Sequence, residues 1–123
     1  MSDGRTILIV DDSLISRLFM KKAVEGNYPD LAIIEAGNAQ EALANIGDTS
    51  IDIALLDLNM PGGINGLALA KTLLDTHDGV KIALVTANVQ LSIQEKAGSL
   101  GVAFVAKPVT EEKISGFLEQ CLA

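Results

Sequence analysis

Thr6-Ile7-Leu8-Ile9-Val10-Asp11-Asp12 is the stretch on which the fold turns. Four consecutive apolar residues run straight into two carboxylates. A short apolar run without polar alternation reads as a strand buried on both faces, the pattern of a parallel sheet. Three further runs end in the same manner. Ile53-Ala54-Leu55-Leu56 meets Asp57, Ile82-Ala83-Leu84-Val85 meets Thr86, and Val102-Ala103-Phe104-Val105-Ala106 meets Lys107-Pro108. If these strands lie parallel, their C-terminal ends share one edge, where open α/β sheets bind ligands. Three carboxylates, a hydroxyl and an ammonium then converge on that edge.

That inventory has a chemistry. Carboxylates brought close together repel, so they either protonate or gather around a cation. Oxygen donors alone, with carboxylate and phosphate partners, suit Mg²⁺. Lys107 offers a compact positive charge for a phosphoryl oxygen, and Thr86 offers a hydroxyl donor. A carboxylate beside a metal and a lysine is equipped to attack phosphorus and form an acyl phosphate. The edge reads as a phosphoryl acceptor.

The order Asp11-Asp12, Asp57, Thr86-Ala87, Lys107-Pro108 resembles the receiver domain of bacterial two-component response regulators. The chemotaxis-type single-domain regulators are the nearest in shape. The resemblance extends from Thr6 to the last helix. Any one pair is common, but four elements in this order, each at a strand end, form a specific pattern. The resemblance implies a flavodoxin-like strand order 2-1-3-4-5, which sets strands one and three side by side so that Asp12 and Asp57 can share a metal. It implies Asp57 as phosphoacceptor, with Mg²⁺ held by Asp12, Asp57 and the backbone carbonyl of Asn59, and by Asp11 mainly through a metal-bound water. Lys107, aimed by a cis bond to Pro108, neutralises the phosphoryl group. Thr86 donates to that group, and Ala87 is small enough for its backbone N–H to approach.

The same resemblance implies a switch and its partners. Thr86 moves inward on phosphorylation, and Phe104, three residues before Lys107, rotates into the space. The surface of the fourth helix, fifth strand and fifth helix then changes. Asn59 and Asn88 line the path of the hydrolytic water and tune the phosphoryl lifetime; two neutral amides imply no strong block to autodephosphorylation. The donor is a histidine kinase or phosphotransfer protein, and the output is a downstream protein target. Thr86-Ala87-Asn88-Val89-Gln90 is similar to regulators accompanied by CheC-type phosphatases. Three positions depart from the common pattern: the loop at Gly62-Gly63 is one residue longer, Asn65-Gly66 replaces Asp-Gly, and Val109 replaces phenylalanine.

Composition is compatible with one domain over residues 1–123, of a length that buries a single core. A net charge of −7 repels nucleic acid phosphates and offers no basic stripe. No apolar run approaches the roughly 20 residues of a membrane span, and the first five residues lack a signal-peptide core. A single cysteine, Cys121, makes no internal disulfide, so the expected compartment is the cytoplasm.

Five strand–helix units are expected, with strands at 6–10, 31–35, 51–56, 82–85 and 102–106. The first helix begins at Ser13, a good N-cap, and places Ile15, Leu18, Phe19 and Ala23 on one face. Asn38 with Glu41 suggests a capping box. A third helix covers 67–74, and the fourth is weakened by Gly98 and Gly101. The last opens at Thr110 and buries Ile114, Phe117, Leu118 and Cys121. Asp11 or Asp12 is a second candidate cap for the first helix. His77 is expected in a solvated turn, and Val89, Gln90, Leu91 and Glu95 on a surface that selects partners. Right-handed crossovers with helices on both faces give a doubly wound α/β fold.

Other classes fit less well. An aspartyl-phosphate hydrolase needs an Asp-x-Asp motif and a cap, and Asp11-Asp12-Ser13 has neither. A flavin carrier needs a hydroxyl-rich phosphate loop and stacking aromatics, yet only 3% of residues are aromatic. The expectation is therefore a non-enzyme whose catalysis is limited to its own phosphotransfer and dephosphorylation. The alternatives are a receiver excised from a larger hybrid kinase or multidomain regulator, and a pseudo-receiver that works without phosphate.

Overall fold

Side chains of β1 (Thr6–Val10) leave the strand alternately, and each face meets its own core. Ile7 and Ile9 join Met20, Val24, Leu55, Val85, Ile114 and Leu118 on one side. Leu8 and Val10 join Ala42, Ile46, Leu56, Leu69, Leu73 and Leu84 on the other. Burying one such aliphatic side chain contributes about 1.5–3 kcal/mol, so both faces hold the strand in register. The structure, a computed structural model, describes residues 4–122.

Strands and helices alternate through the described residues: β1, α1 (Leu14–Asn27), β2 (Ala32–Ala36), α2 (Ala39–Ile46), β3 (Ile53–Leu56), α3 (Gly66–Thr76), β4 (Lys81–Thr86), α4 (Leu91–Ser99), β5 (Ala103–Ala106) and α5 (Glu111–Leu122). The sheet order is β2-β1-β3-β4-β5, and every pairing is parallel. α1 and α5 pack together and supply one core, while α2 and α3 cover the opposite face with a single fully buried residue, Ala97, from α4. This is the doubly wound, flavodoxin-like arrangement expected from the sequence.

Caps set several helix starts. The Ser13 hydroxyl accepts the Ser16 N–H at 3.3 Å, Asn38 accepts that of Glu41 at 2.8 Å, and Thr110 accepts that of Lys113 at 3.1 Å. Ser13 is thus the cap of α1, and neither Asp11 nor Asp12 takes that part.

Other expectations shift. β2 lies one residue later than expected, and β3 is shorter because its pairing with β1 begins at Ile53. α3 runs from Gly66 to Thr76, longer at both ends, and His77 is its half-buried C-cap, with a ring nitrogen 3.0 Å from the Thr76 hydroxyl. Half-buried Cys121 packs against the α1–α5 core.

The largest departure is in α1. Its buried stripe is Met20, Ala23 and Val24, whereas Ile15 is 83% exposed and Leu14, Leu18 and Phe19 are exposed also. At 100° per residue the inward side runs through Ser16, Arg17, Met20, Ala23 and Val24. Of the four residues expected on the buried face, Ala23 alone lies on it.

Candidate functional site

β1 and β3 pair from Ile7 with Ile53 to Val10 with Leu56, so Asp11 and Asp57 leave adjacent strands at the same level. Backbone bonds extend the ladder into the site. The Asp57 N–H donates to the Val10 carbonyl at 2.9 Å, and the Asp11 N–H to the Ala36 carbonyl at 3.1 Å. On the far side, Lys107 N–H donates to the Thr86 carbonyl at 2.9 Å, which docks the turn after β5 onto the end of β4. The Lys107–Pro108 peptide bond is cis.

The side chains converge. Asp11 is fully buried; one carboxylate oxygen accepts the Ser13 N–H at 2.8 Å and the other accepts the Lys107 ammonium at 2.9 Å. The same ammonium lies 3.7 Å from Asp57, which is 7% exposed. Asp12 is exposed at the rim. One oxygen from each of Asp11, Asp12 and Asp57 can be chosen so that all three lie within 4.8 Å of one another. Burial, then the charge of Asp11, raises the Asp57 carboxyl above the ordinary carboxylate range, with Asp12 adding to the rise. Lys107 and the Leu58 backbone N–H pull it the other way. Three clustered carboxylate donors, two of them buried, fit a hard divalent cation of the Mg²⁺ kind.

The remaining predicted residues frame this centre. Thr86 is buried, and its hydroxyl accepts the Asn88 N–H at 3.2 Å, which leaves its own proton free to donate. The Asn88 side-chain oxygen accepts the Gln90 N–H at 3.1 Å. Ala87 and Asn59 are exposed in the loops after β4 and β3. Phe104 lies on β5 in register with Leu84, half-buried against the α2–α3 core rather than among the carboxylates.

Two residues of the site have no role in the sequence reading, although one of them, Gly66, is named there. A Cβ added to Gly66 would lie inside the contact distance of the Asp57 carbonyl oxygen, and 3.0 Å from the Leu84 side chain. Gly66 also donates its N–H to the Leu58 carbonyl at 2.9 Å, so α3 starts hard against the backbone of Asp57. Its signal was the Asn65-Gly66 pair, in which Asn65 caps α3 by accepting the Ala68 N–H at 2.9 Å. The second residue is Arg17, whose guanidinium reaches the Asp11 carbonyl at 2.7 Å.

Comparison with known proteins agrees with this geometry. The family model described as response regulator receiver domain matches residues 7–119. The chain is 32% identical over 114 residues to the cyclic di-GMP phosphodiesterase response regulator RpfG of Xanthomonas campestris, covering 90% of this chain and 30% of that protein. It is 28% identical over 120 residues to a protein-glutamate methylesterase/protein-glutamine glutaminase of Paramagnetospirillum magneticum, covering 94% and 31%. The chain thus spans about a third of the length of these relatives. Among solved structures, a CheY-like receiver domain protein from Methanospirillum hungatei superposes with a TM-score of 0.84 at 26% identity, covering 94% of this chain and 91% of that one. Vibrio cholerae CheY4, at 21% identity and a TM-score of 0.83 over 96% of this chain and 98% of its own, shares the fold. With the model match spanning both β1 and Lys107, the chain belongs to the receiver domain family of two-component response regulators.

Proposed function

We propose that this receiver accepts a phosphoryl group on Asp57, in a Mg²⁺-dependent reaction, from a histidine kinase or phosphotransfer protein, and that phosphorylation switches its binding to a downstream protein. The observation that carries the reading is the convergence of Asp11, Asp12 and Asp57 within 4.8 Å beside the Lys107 ammonium. Like charges this close cost stability unless a cation or phosphoryl chemistry uses them.

In the reaction a carboxylate oxygen of Asp57 attacks phosphorus. The bond from phosphorus to the donor's imidazole nitrogen breaks, and that nitrogen keeps the electron pair and takes a proton from water. Asp12, Asp57 and the Asn59 carbonyl would hold Mg²⁺, with Asp11 acting mainly through a metal-bound water, and the ion would neutralise charge at the phosphoryl oxygens. Lys107 adds its ammonium to the same oxygens. Thr86 donates its free hydroxyl proton there, and the Ala87 N–H approaches from the next position. Movement of Thr86 toward the site opens space for Phe104 to rotate, which couples the site to α4, β5 and α5. Asn59 and Asn88 set the access of the hydrolytic water.

Residues 1–123 act in this reading as one receiver domain in the cytoplasm, with no chemistry beyond self-phosphorylation and autodephosphorylation. No helix among the described residues is long and apolar enough to cross a membrane, and the charge of −7 disfavours nucleic acid. A CheC-type phosphatase is a candidate partner for the loop 86–90. Intact-mass spectrometry after incubation with acetyl phosphate and MgCl₂ tests the proposal. The expected result is the gain of one phosphoryl mass, abolished by chelator and by Asp57→Asn. Undiminished gain in chelator would remove Mg²⁺ from the scheme, and undiminished gain in Asp57→Asn would place the acceptor elsewhere.

A further inference from the structure

The inward side of α1 changes character along its length. Met20, Ala23 and Val24 meet the apolar core, but one turn earlier the same side rises past the end of β1 and carries Arg17. Its guanidinium makes two bonds in different directions. Nη1 donates to the Asp11 carbonyl at 2.7 Å, and Nε donates to Glu35 Oε1 on β2 at 3.3 Å. The other Glu35 oxygen lies 3.1 Å from the Lys21 ammonium, so Glu35 is itself fixed from a second side. The Arg17 side chain is only 18% exposed. An isolated surface ion pair contributes little, but a charged fork aimed at a carbonyl is directional and pre-organised.

What this fork holds is the peptide that joins the two acidic residues. The Asp11 N–H is tied to Ala36 and its carboxylate to Ser13 and Lys107. Its carbonyl is tied to Arg17. The Asp12 side chain makes no hydrogen bond among the described residues, so the backbone alone carries it to the site, and the held Asp11–Asp12 peptide fixes the point from which it leaves. Only Asp11, Asp12 and Ser13 separate β1 from α1, so a shift of that peptide moves the point from which the Asp12 side chain leaves.

We propose that Arg17, oriented by Glu35, is a positioning residue for the carboxylate cluster and sets its affinity for a divalent cation. The inference rests on the reading of Asp11, Asp12 and Asp57 as a cation site. Two effects of removing Arg17 have opposite signs. Loss of a nearby positive charge strengthens cation binding by Coulomb's law, whereas loss of the held peptide weakens it. The proposal is that position outweighs charge.

Amide chemical shifts of ¹⁵N-labelled protein, followed as MgCl₂ is added, report fold and affinity together. Arg17→Met is expected to keep the dispersed spectrum of the wild type and to bind Mg²⁺ about 10-fold more weakly, the size seen when the support of a metal ligand is removed. Arg17→Lys keeps the charge but bonds to either the Asp11 carbonyl or Glu35, and is expected to fall between the two. Phosphoryl uptake by both variants recovers when Mg²⁺ is raised to saturation, and a dispersed spectrum before Mg²⁺ is added shows that this recovery is not metal-driven refolding. Equal or tighter binding by a folded Arg17→Met overturns the proposal. If Arg17→Met does not fold, Arg17→Lys decides: weaker binding supports the proposal and unchanged binding overturns it. A wild-type protein that shows no Mg²⁺-dependent shifts at Asp11, Asp12 or Asp57 overturns the cation-site reading itself, separately from Arg17.

Discussion

The Lys107 ammonium donates to the carboxylate of Asp11 at 2.9 Å, across 96 positions of chain. Asp11 is fully buried, so this bond balances a charge that has no access to water, while the 3.7 Å approach to Asp57 is a longer-range attraction. One lysine therefore serves two carboxylates, the first as hydrogen-bond partner and the second as neighbouring charge.

Lys107→Ala leaves Asp11 buried with the Ser13 N–H as its remaining partner. Breaking a buried pair from one side costs about 3 kcal/mol, and urea denaturation at neutral pH checks this. Asp11→Asn in the same background is expected to recover part of the loss, because the stranded charge goes with it. Additive losses in the double variant would contradict the pairing. In phosphorylation assays, Lys107→Ala is expected to retain some uptake while losing the response in partner binding; a normal response would contradict the role given to Lys107.

Asp57 links stability to pH with a defined sign. Its folded-state pKa is raised by burial and by Asp11, so the folded protein holds this proton more tightly than the unfolded chain. The group favours folding below the ordinary carboxylate pKa, and that contribution is lost as pH rises through the raised value. Without metal, Asp57→Asn is expected to melt at a higher temperature than wild type at neutral pH. The gain should shrink toward zero as pH falls below the ordinary carboxylate range. Melting scans across pH in chelator read this directly, and a neutral-pH loss of stability would contradict it.

Gly66→Ala is expected to cost about 2 kcal/mol, in the range of overpacking in a close-packed site. The added methyl meets the Asp57 carbonyl, so phosphoryl uptake is expected to slow along with the loss of stability. Denaturation and uptake rates measured on the same preparation check both, and wild-type values for both would show that α3 can move aside.

Thr86→Val replaces the hydroxyl that accepts the Asn88 N–H with a methyl of similar shape. Loss of that acceptor costs about 1 kcal/mol, and no hydroxyl remains to donate to a phosphoryl oxygen. Uptake is expected to persist while partner binding loses its dependence on phosphorylation, as read by a binding assay with and without acetyl phosphate.

Much of this was legible because it lay in unbroken apolar runs. The runs of β1, β3 and β4 are buried on both faces, and each ends where a site residue begins. Ser13, Asn38 and Thr110 marked helix starts because a cap is a local bond over three residues. The face of α1 was not legible. Leu14, Ile15, Leu18 and Phe19 have the composition of a core stripe, and only the placement of Met20 and Val24 against β1 shows that they point outward. Arg17 and Gly66 escaped for a related reason. Each matters through contact with a backbone carbonyl, of Asp11 and of Asp57, and a carbonyl has no residue type by which a sequence reading can detect it.

Borohydride reduction of the protein after acetyl phosphate and MgCl₂ treatment, followed by peptide mass spectrometry, locates an acyl phosphate as homoserine at the modified position. Homoserine at residue 57, absent when chelator is present, is the predicted result. Homoserine at Asp11 or Asp12, or at no position in protein that has gained a phosphoryl mass, would contradict the assignment of Asp57 as the acceptor.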